Sequence, residues 1–265
     1  MKLSILIPSL GEKEYLKLFI DSAIRNSKYC DISFHIWDNT EDCSLKDFES
    51  CYPQEDIFVH GGGKNVGLSF PYLKMAFASK ADVLFFADED MVPAPGWDIA
   101  AKYALENDTW CSPNQVEPCR SSRSILANYG SIYSDFNADF FEHFNHHIYH
   151  RHIHKASFYP MFIPRSNYQQ IGGHDPVLFL GELDFVWRAF KYYKVRQSSQ
   201  LTHPNSFIYH FRHSPERGIR SPDYHINLLK DTAAFREKHS ITPEEADSIM
   251  EHYEVYRTIQ RQKSN

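Results

Sequence analysis

Between Leu3 and Ser112, short apolar runs alternate with segments of helical periodicity, a rhythm that few folds accept. Leu3 to Ile7 is an apolar run closed by Pro8, the pattern of a buried first strand. Glu12 to Asn26 then carries Tyr15, Leu16, Phe19, Ile20, Ala23 and Ile24 at i, i+3, i+4 spacing, which predicts an amphipathic helix. Further strands are expected over Ile32 to Trp37, Ile57 to Val59 and Ala81 to Ala87, with a helix over Phe70 to Ser79. A helix over Trp97 to Glu106 and a strand over Thr109 to Ser112 complete the series. Strands and helices in this order build a mostly parallel, Rossmann-like central sheet flanked by helices, an α/β fold. Such sheets collect ligands outside the carboxyl ends of their strands. Ser9, Asp38, Asn65 and Asp88 all fall at those ends.

The pattern blurs through residues 113–156, which are rich in Ser, Asn, His and aromatic side chains. It returns as a strand over Phe158 to Ile163, a short helix stopping at Gly172-Gly173, a helix over Glu182 to Tyr193 and a strand over Phe207 to Tyr209. Closing helices are expected over 223–239 and 242–262, the second opened by Thr242-Pro243-Glu244-Glu245, a cap, a first-turn proline and a capping-box glutamate.

Three motifs carry chemistry. Asp88-Glu89-Asp90 ends a buried strand, and three crowded carboxylates repel one another unless a cation binds. Mg²⁺ or Mn²⁺ shared between one or two carboxylates and substrate phosphates relieves that repulsion. An isolated acidic triplet is usually a solvated turn, but here an apolar strand precedes it and Val92-Pro93-Ala94-Pro95-Gly96-Trp97 follows. In Gly181-Glu182-Leu183-Asp184, Glu182 stands at a helix start, where the helix dipole favours an anion and a carboxylate can act as general base. Asp184 is four residues before Arg188, the spacing of a structural helix pair. His210 ends a strand and offers an imidazole to a nearby metal.

Two other features weigh less. His146, His150 and His154 repeat at i, i+4, with His143, His147 and His152 around them, but they lack a regular catalytic zinc spacing and read as an exposed segment. The run Gly61 to Gly67 fails the phosphate-loop pattern, because Phe58 stands where the first glycine is required and Asn65 follows Lys64.

A formal charge of −6 without a basic run argues against nucleic acid as partner. Five cysteines without a Cys-x-x-Cys pair read as free thiols in a reducing, cytoplasmic compartment. No stretch approaches the roughly 20 apolar residues of a membrane span, so the expected membrane contact is peripheral at most.

In order along the chain, Ser4-Ile5-Leu6-Ile7-Pro8, Asp38, Asn65-Val66-Gly67, Asp88-Glu89-Asp90, Pro95-Gly96-Trp97, Ile171-Gly172-Gly173-His174-Asp175 and Gly181-Glu182-Leu183-Asp184 resemble family 2 glycosyltransferases of the GT-A fold. The resemblance runs to about His213 and implies a nucleotide-sugar donor, UDP-sugar favoured, and a hydroxyl acceptor on a glycan or other molecule. It implies that Pro8, Ser9, Asp38, Asn65, Gly67, Asp88 and Glu89 line the donor, with Asp38 at the base. Asp88, Asp90 and His210 would hold Mn²⁺ or Mg²⁺, Glu182 and Asp184 would be catalytic with Glu182 as base, and residues 214–221 would form a lid. It further implies inversion, which the residues alone leave open. Leu10, Gly11 and Pro71-Tyr72-Leu73 depart from the family pattern, leaving Tyr72 or Lys74 in place of its donor-side arginine. The expected organisation is a nucleotide-sugar-binding half over 1–114, an acceptor and catalytic half of the same domain over 115–222, and a C-terminal helical extension over 223–265. A sugar nucleotidyltransferase, and a non-catalytic glycan- or nucleotide-binding protein on the same scaffold, are the alternative readings.

Overall fold

The computed structural model describes residues 1–118, 124–148, 159–194, 202–211 and 222–242. The expected lid over 214–221, the closing helix beyond Thr242, and His150, His152 and His154 lie outside the described residues.

The main sheet has five strands: β1 (Lys2–Ser9), β2 (Asp31–Asp38), β3 (Ile57–Gly61), β4 (Val83–Phe86) and β8 (Met161–Pro164), in spatial order β3-β2-β1-β4-β8. The first four run parallel and β8 pairs antiparallel to β4. β1 lies at the centre, which is why Leu3 to Ser9 are buried without alternation: both faces are covered. Helix α1 (Lys13–Asn26) lays Tyr15, Leu16, Phe19, Ile20 and Ala23 inward, at the predicted periodicity. Helix α2 (Ser69–Ala78) buries Tyr72, Met75 and Ala76, and helix α3 (Ile99–Glu106) buries three alanines, Ala100, Ala101 and Ala104. Phe85 stacks on Phe162 in the middle of this core, and Trp97 packs at a tilt against both.

A second sheet, order β5-β9-β6-β7, is built from β5 (Met91–Pro93), β6 (Ser112–Glu117), β7 (Ile125–Leu126) and β9 (Thr202–His210). It corrects the expected strand over Thr109 to Ser112, since the strand begins where that expectation ended. Every residue of β6 is buried although Asn114, Gln115 and Glu117 are polar, so apolar periodicity could not find it. Asn114 donates to the carbonyls of His203 and Ser206, and Gln115 to that of Tyr159, which makes such burial tolerable. A second core of Tyr129, Phe141, Tyr209 and Phe211 involves this sheet and helix α4 (Ala138–Ile148). The blurred stretch thus holds β6, β7 and α4.

Helices α5 (Arg165–Ile171) and α6 (Glu182–Tyr193) match their expected bounds closely. The chain divides into two compact units, Met1–Gly218 and Ile219–Asn265. The second contains helix α7 (Pro222–His239), with Arg236, Lys238 and His239 in its last turn, where cations complement the helix dipole. No helix among the described residues is long and apolar enough to cross a membrane.

Candidate functional site

The carboxyl ends of β1, β2, β3 and β4 share one edge of the main sheet, and the sequence-marked residues gather there. Ser9 ends β1 next to Asp38, which ends β2 in the paired register. Two residues past β4, the chain turns through Asp88-Glu89-Asp90 into β5.

The three acidic side chains part company. Glu89 is buried, and its carboxylate accepts the Ser9 hydroxyl and the Leu10 backbone N–H, tying the turn to the end of β1. Asp88 and Asp90 instead meet His210. One ligand atom from each of Asp88, Asp90 and His210 lies within 4.8 Å of the other two. His210 Nε2 is 3.4 Å from Asp90 Oδ1, and the Phe211 N–H donates to the Asp90 carbonyl at 3.1 Å. His210 arrives because β9 pairs with β5, Met91 opposite His210. Burial alone would lower the His210 pKa, but the charge and hydrogen bond of Asp90, together with Glu117, outweigh it and push the pKa up to about 10. Two carboxylates and an imidazole that converge in this way suit Mn²⁺, which takes mixed oxygen and nitrogen donors, and also suit Mg²⁺ through the carboxylates. The donor set therefore fits the metal that the sequence implies.

Glu182 opens α6 and is half-buried. Its position is set by close contact between α6 and α2. Gly181 has φ +65°, a Cβ there would lie 1.6 Å from Ser69 Oγ, and that hydroxyl donates to the Leu180 carbonyl at 3.1 Å. Tyr72 reaches from α2 to the end of β4. Its hydroxyl donates to the Ala87 carbonyl at 3.3 Å, and burial, then the charges of Asp88 and Glu182, raise its pKa well above the usual phenol value. Both carboxylates therefore lie within electrostatic reach of Tyr72. Asp184 is elsewhere: fully buried, it accepts Arg188 at 2.7 Å, while Arg188 also donates to the carbonyls of Ile171 and Gly173. That pair ties α6 to the end of α5. Lys74 is exposed, with its ammonium over the Phe70 ring.

At the ends of β2 and β3, Asp38 is buried and its carboxylate accepts the backbone N–H groups of Thr40 and Leu45, at 2.9 and 3.0 Å. It organises the loop after β2. Sequence reasoning passed over its neighbour Asn39, which joins the ends of β1 and β2 to the turn before α2: its N–H donates to the Ser9 carbonyl, its Nδ2 to Gly67 O, and its Oδ1 accepts Val66 N–H. Asn65 Oδ1 accepts the Gly67 N–H at 2.9 Å, closing an Asx turn. Gly67 has φ +79°, and a Cβ on it would lie 2.1 Å from the Phe179 carbonyl, so the turn packs directly on the segment before α6. Glu117, the buried end of β6, accepts His210 Nδ1 at 3.0 Å and also went unnoticed. The mostly polar sequence of β6, with Val116 as its one buried aliphatic residue, concealed it.

The mixed α/β fold, a parallel-dominated sheet flanked by helices, matches that of solved glycosyltransferases of the GT-A type. Among solved structures, the chain is similar to S. aureus TarS 1–349 in complex with UDP, at 11% identity and TM-score 0.55, over 88% of this chain and 65% of that one. It is also similar to the mannosyltransferase PcManGT from Pyrobaculum calidifontis in complex with GDP-Man and Mn²⁺, at 12% identity and TM-score 0.56, over 95% of this chain and 69% of that one. Against a longer S. aureus TarS structure, the chain spans 42% of that protein's length. No protein-family model matches the sequence, and no curated protein matches it.

Proposed function

We propose that the chain is a nucleotide-sugar-dependent glycosyltransferase in which Asp88, Asp90 and His210 hold Mn²⁺ or Mg²⁺ and Glu182 deprotonates an acceptor hydroxyl. The observation that carries this reading is the convergence of those three ligand atoms within 4.8 Å at the edge where a parallel sheet collects ligands. Bound there, the ion supplies positive charge to the donor diphosphate as negative charge gathers on the leaving nucleotide. A chain of net charge −6 takes up a diphosphate with such an offset or with local donors, and the acidic residues at this edge favour the ion.

Ser9, Glu89 and the Asn39-clamped turn at Asn65 to Gly67 shape the nucleotide side, and Asp38 supports it by holding the loop after β2. The charges of Glu182 and Asp88 both reach Tyr72, which supports a base on the same side of the site as the metal-side carboxylates. A base there that directs one hydroxyl at the face opposite the leaving group produces inversion. The similar structures hold UDP in one case and GDP-Man with Mn²⁺ in another, which supports the donor class and the choice of metal. UDP-sugar is our preferred donor. Exposed rings at Tyr133 and Phe140 support an acceptor side in the segment 115–157.

A thermal-shift panel of nucleoside diphosphates and nucleotide sugars, with and without Mn²⁺, tests this without knowledge of the acceptor. The expected result is a metal-dependent rise in Tm with one nucleotide class that disappears in Asp90→Ala. No shift with any nucleotide would overturn the proposal.

A further inference from the structure

We propose that Glu117 is a positioning residue for His210: its buried carboxylate takes the Nδ1–H and turns the Nε2 lone pair toward Asp88 and Asp90. This rests on the metal reading above.

The sheet order β5-β9-β6 creates the arrangement. Met91 opposes His210 on one side of β9, and Val116 opposes Tyr209 on the other, so the last residues of β6 and β9 are neighbours. The imidazole then stands between two acids, with Nε2 3.4 Å from Asp90 Oδ1 and Nδ1 3.0 Å from Glu117 Oε1. A metal-bound imidazole keeps one N–H and gives its other nitrogen to the ion, and the shorter contact, Nδ1 to Glu117 at 3.0 Å against Nε2 to Asp90 at 3.4 Å, keeps the proton on Nδ1. That leaves Nε2 as the metal-binding atom, on the side where the other two ligands lie. A carboxylate, an imidazole and a metal in sequence set both ring orientation and ligand basicity.

Two features of Glu117 fit the task. It is 1% exposed, and burial of a carboxylate is costly unless it is paired and hydrogen-bonded. Its second oxygen accepts the Ser124 hydroxyl at 2.5 Å, which limits rotation of the carboxylate about its own axis.

The test is Mn²⁺ binding to the full chain, read by EPR with MnCl₂ alone, for native protein, Glu117→Ala, Glu117→Gln, His210→Ala and the Glu117→Ala/His210→Ala double variant. Glu117→Ala is expected to weaken Mn²⁺ binding about 10- to 100-fold. Glu117→Gln keeps a carbonyl that accepts Nδ1–H and is expected to recover most of that loss. In the His210→Ala background, Glu117→Ala is expected to have no further effect. Pulsed EPR should show imidazole ¹⁴N coupling to Mn²⁺ in native protein and in Glu117→Gln, and none in Glu117→Ala. These readouts, taken on variants whose Tm shows them folded, separate positioning from general destabilisation. If Glu117→Ala binds Mn²⁺ as native protein does, the assignment of Glu117 fails while the metal site stands. If Glu117→Gln is as weak as Glu117→Ala, Glu117 acts through its charge and the positioning role is overturned. Native protein that binds no Mn²⁺ overturns the metal reading and this inference together.

Discussion

Gly181→Ala is the substitution whose cost the structure states most directly. The new Cβ lies 1.6 Å from Ser69 Oγ, 3.0 Å from Ser69 Cβ and 3.4 Å from Leu178 Cβ, at φ +65°. Alanine in the left-handed region costs about 1–2 kcal/mol. Rotating the Ser69 hydroxyl away gives up its bond to the Leu180 carbonyl, about 1 kcal/mol. The remaining 3.0 Å Cβ–Cβ approach forces a backbone shift worth about 1–3 kcal/mol. The sum is about 3–6 kcal/mol, a large share of the roughly 5–15 kcal/mol that stabilises a domain. Gly63→Ala is an internal control, since its φ is +87° but its Cβ meets nothing within 4 Å, so it carries only the conformational part. Urea denaturation of both variants, and of Gly181→Ala combined with Ser69→Ala, measures each part. The double variant should show a favourable coupling of about 1 kcal/mol, because the hydroxyl clash is gone while the Cβ–Cβ approach remains. A Gly181→Ala cost no larger than that of Gly63→Ala, or strict additivity with Ser69→Ala, would refute the contact between α6 and α2. Because Glu182 is the next residue, a shift of about 1 Å in the first turn of α6 should also lower turnover by about 100-fold, with donor binding far less affected.

Glu182→Gln should bind nucleotide with Mn²⁺ as native protein does and transfer no sugar; near-normal turnover would rule out the base. Chelation by EDTA should abolish the nucleotide-induced rise in Tm, and Mn²⁺ should restore it, as a calorimetric melt would report. Gly67→Ala places a Cβ 2.1 Å from the Phe179 carbonyl and should cost about 2–5 kcal/mol in urea unfolding, from strain and overpacking together. Burial, then His60, lowers the His35 pKa from 6.5 to about 4, so the unfolded chain takes up the proton first. That contribution, at most about 3 kcal/mol, is fully present above pH 6.5 and is lost as pH falls toward 4. His35→Phe should flatten the fall in urea midpoint over that window, and an unchanged slope would exclude His35 as its source.

Much of the main sheet was legible because its strands and helices obey local rules. β1 is uniformly apolar as a central strand must be, α1 shows the helical period, and α6 opens at Glu182 as expected. The polar strand ends followed from topology, since parallel strands put their carboxyl ends on one edge. The second sheet was not legible in the same way. β6 reads Ser-Pro-Asn-Gln-Val-Glu, and its burial depends on carbonyls of residues as distant as Tyr159, His203 and Ser206.

The sequence alone determined which chemistry is available: an acidic triplet after an apolar strand, a carboxylate at a helix start, and a histidine at a strand end. Only the tertiary structure decided how that chemistry divides. Glu89 turns back to Ser9 while Asp88 and Asp90 turn to His210, a separation that depends on β9 lying beside β5. Asp184 is engaged by Arg188, and Asp38 by the loop that follows it. Asn39 and Glu117 gain their roles from partners about 30 and 90 residues away. The reason is physical: residue type and local spacing set what a side chain can do, whereas burial, charge partners and hydrogen bonds across the fold set which of those things it does.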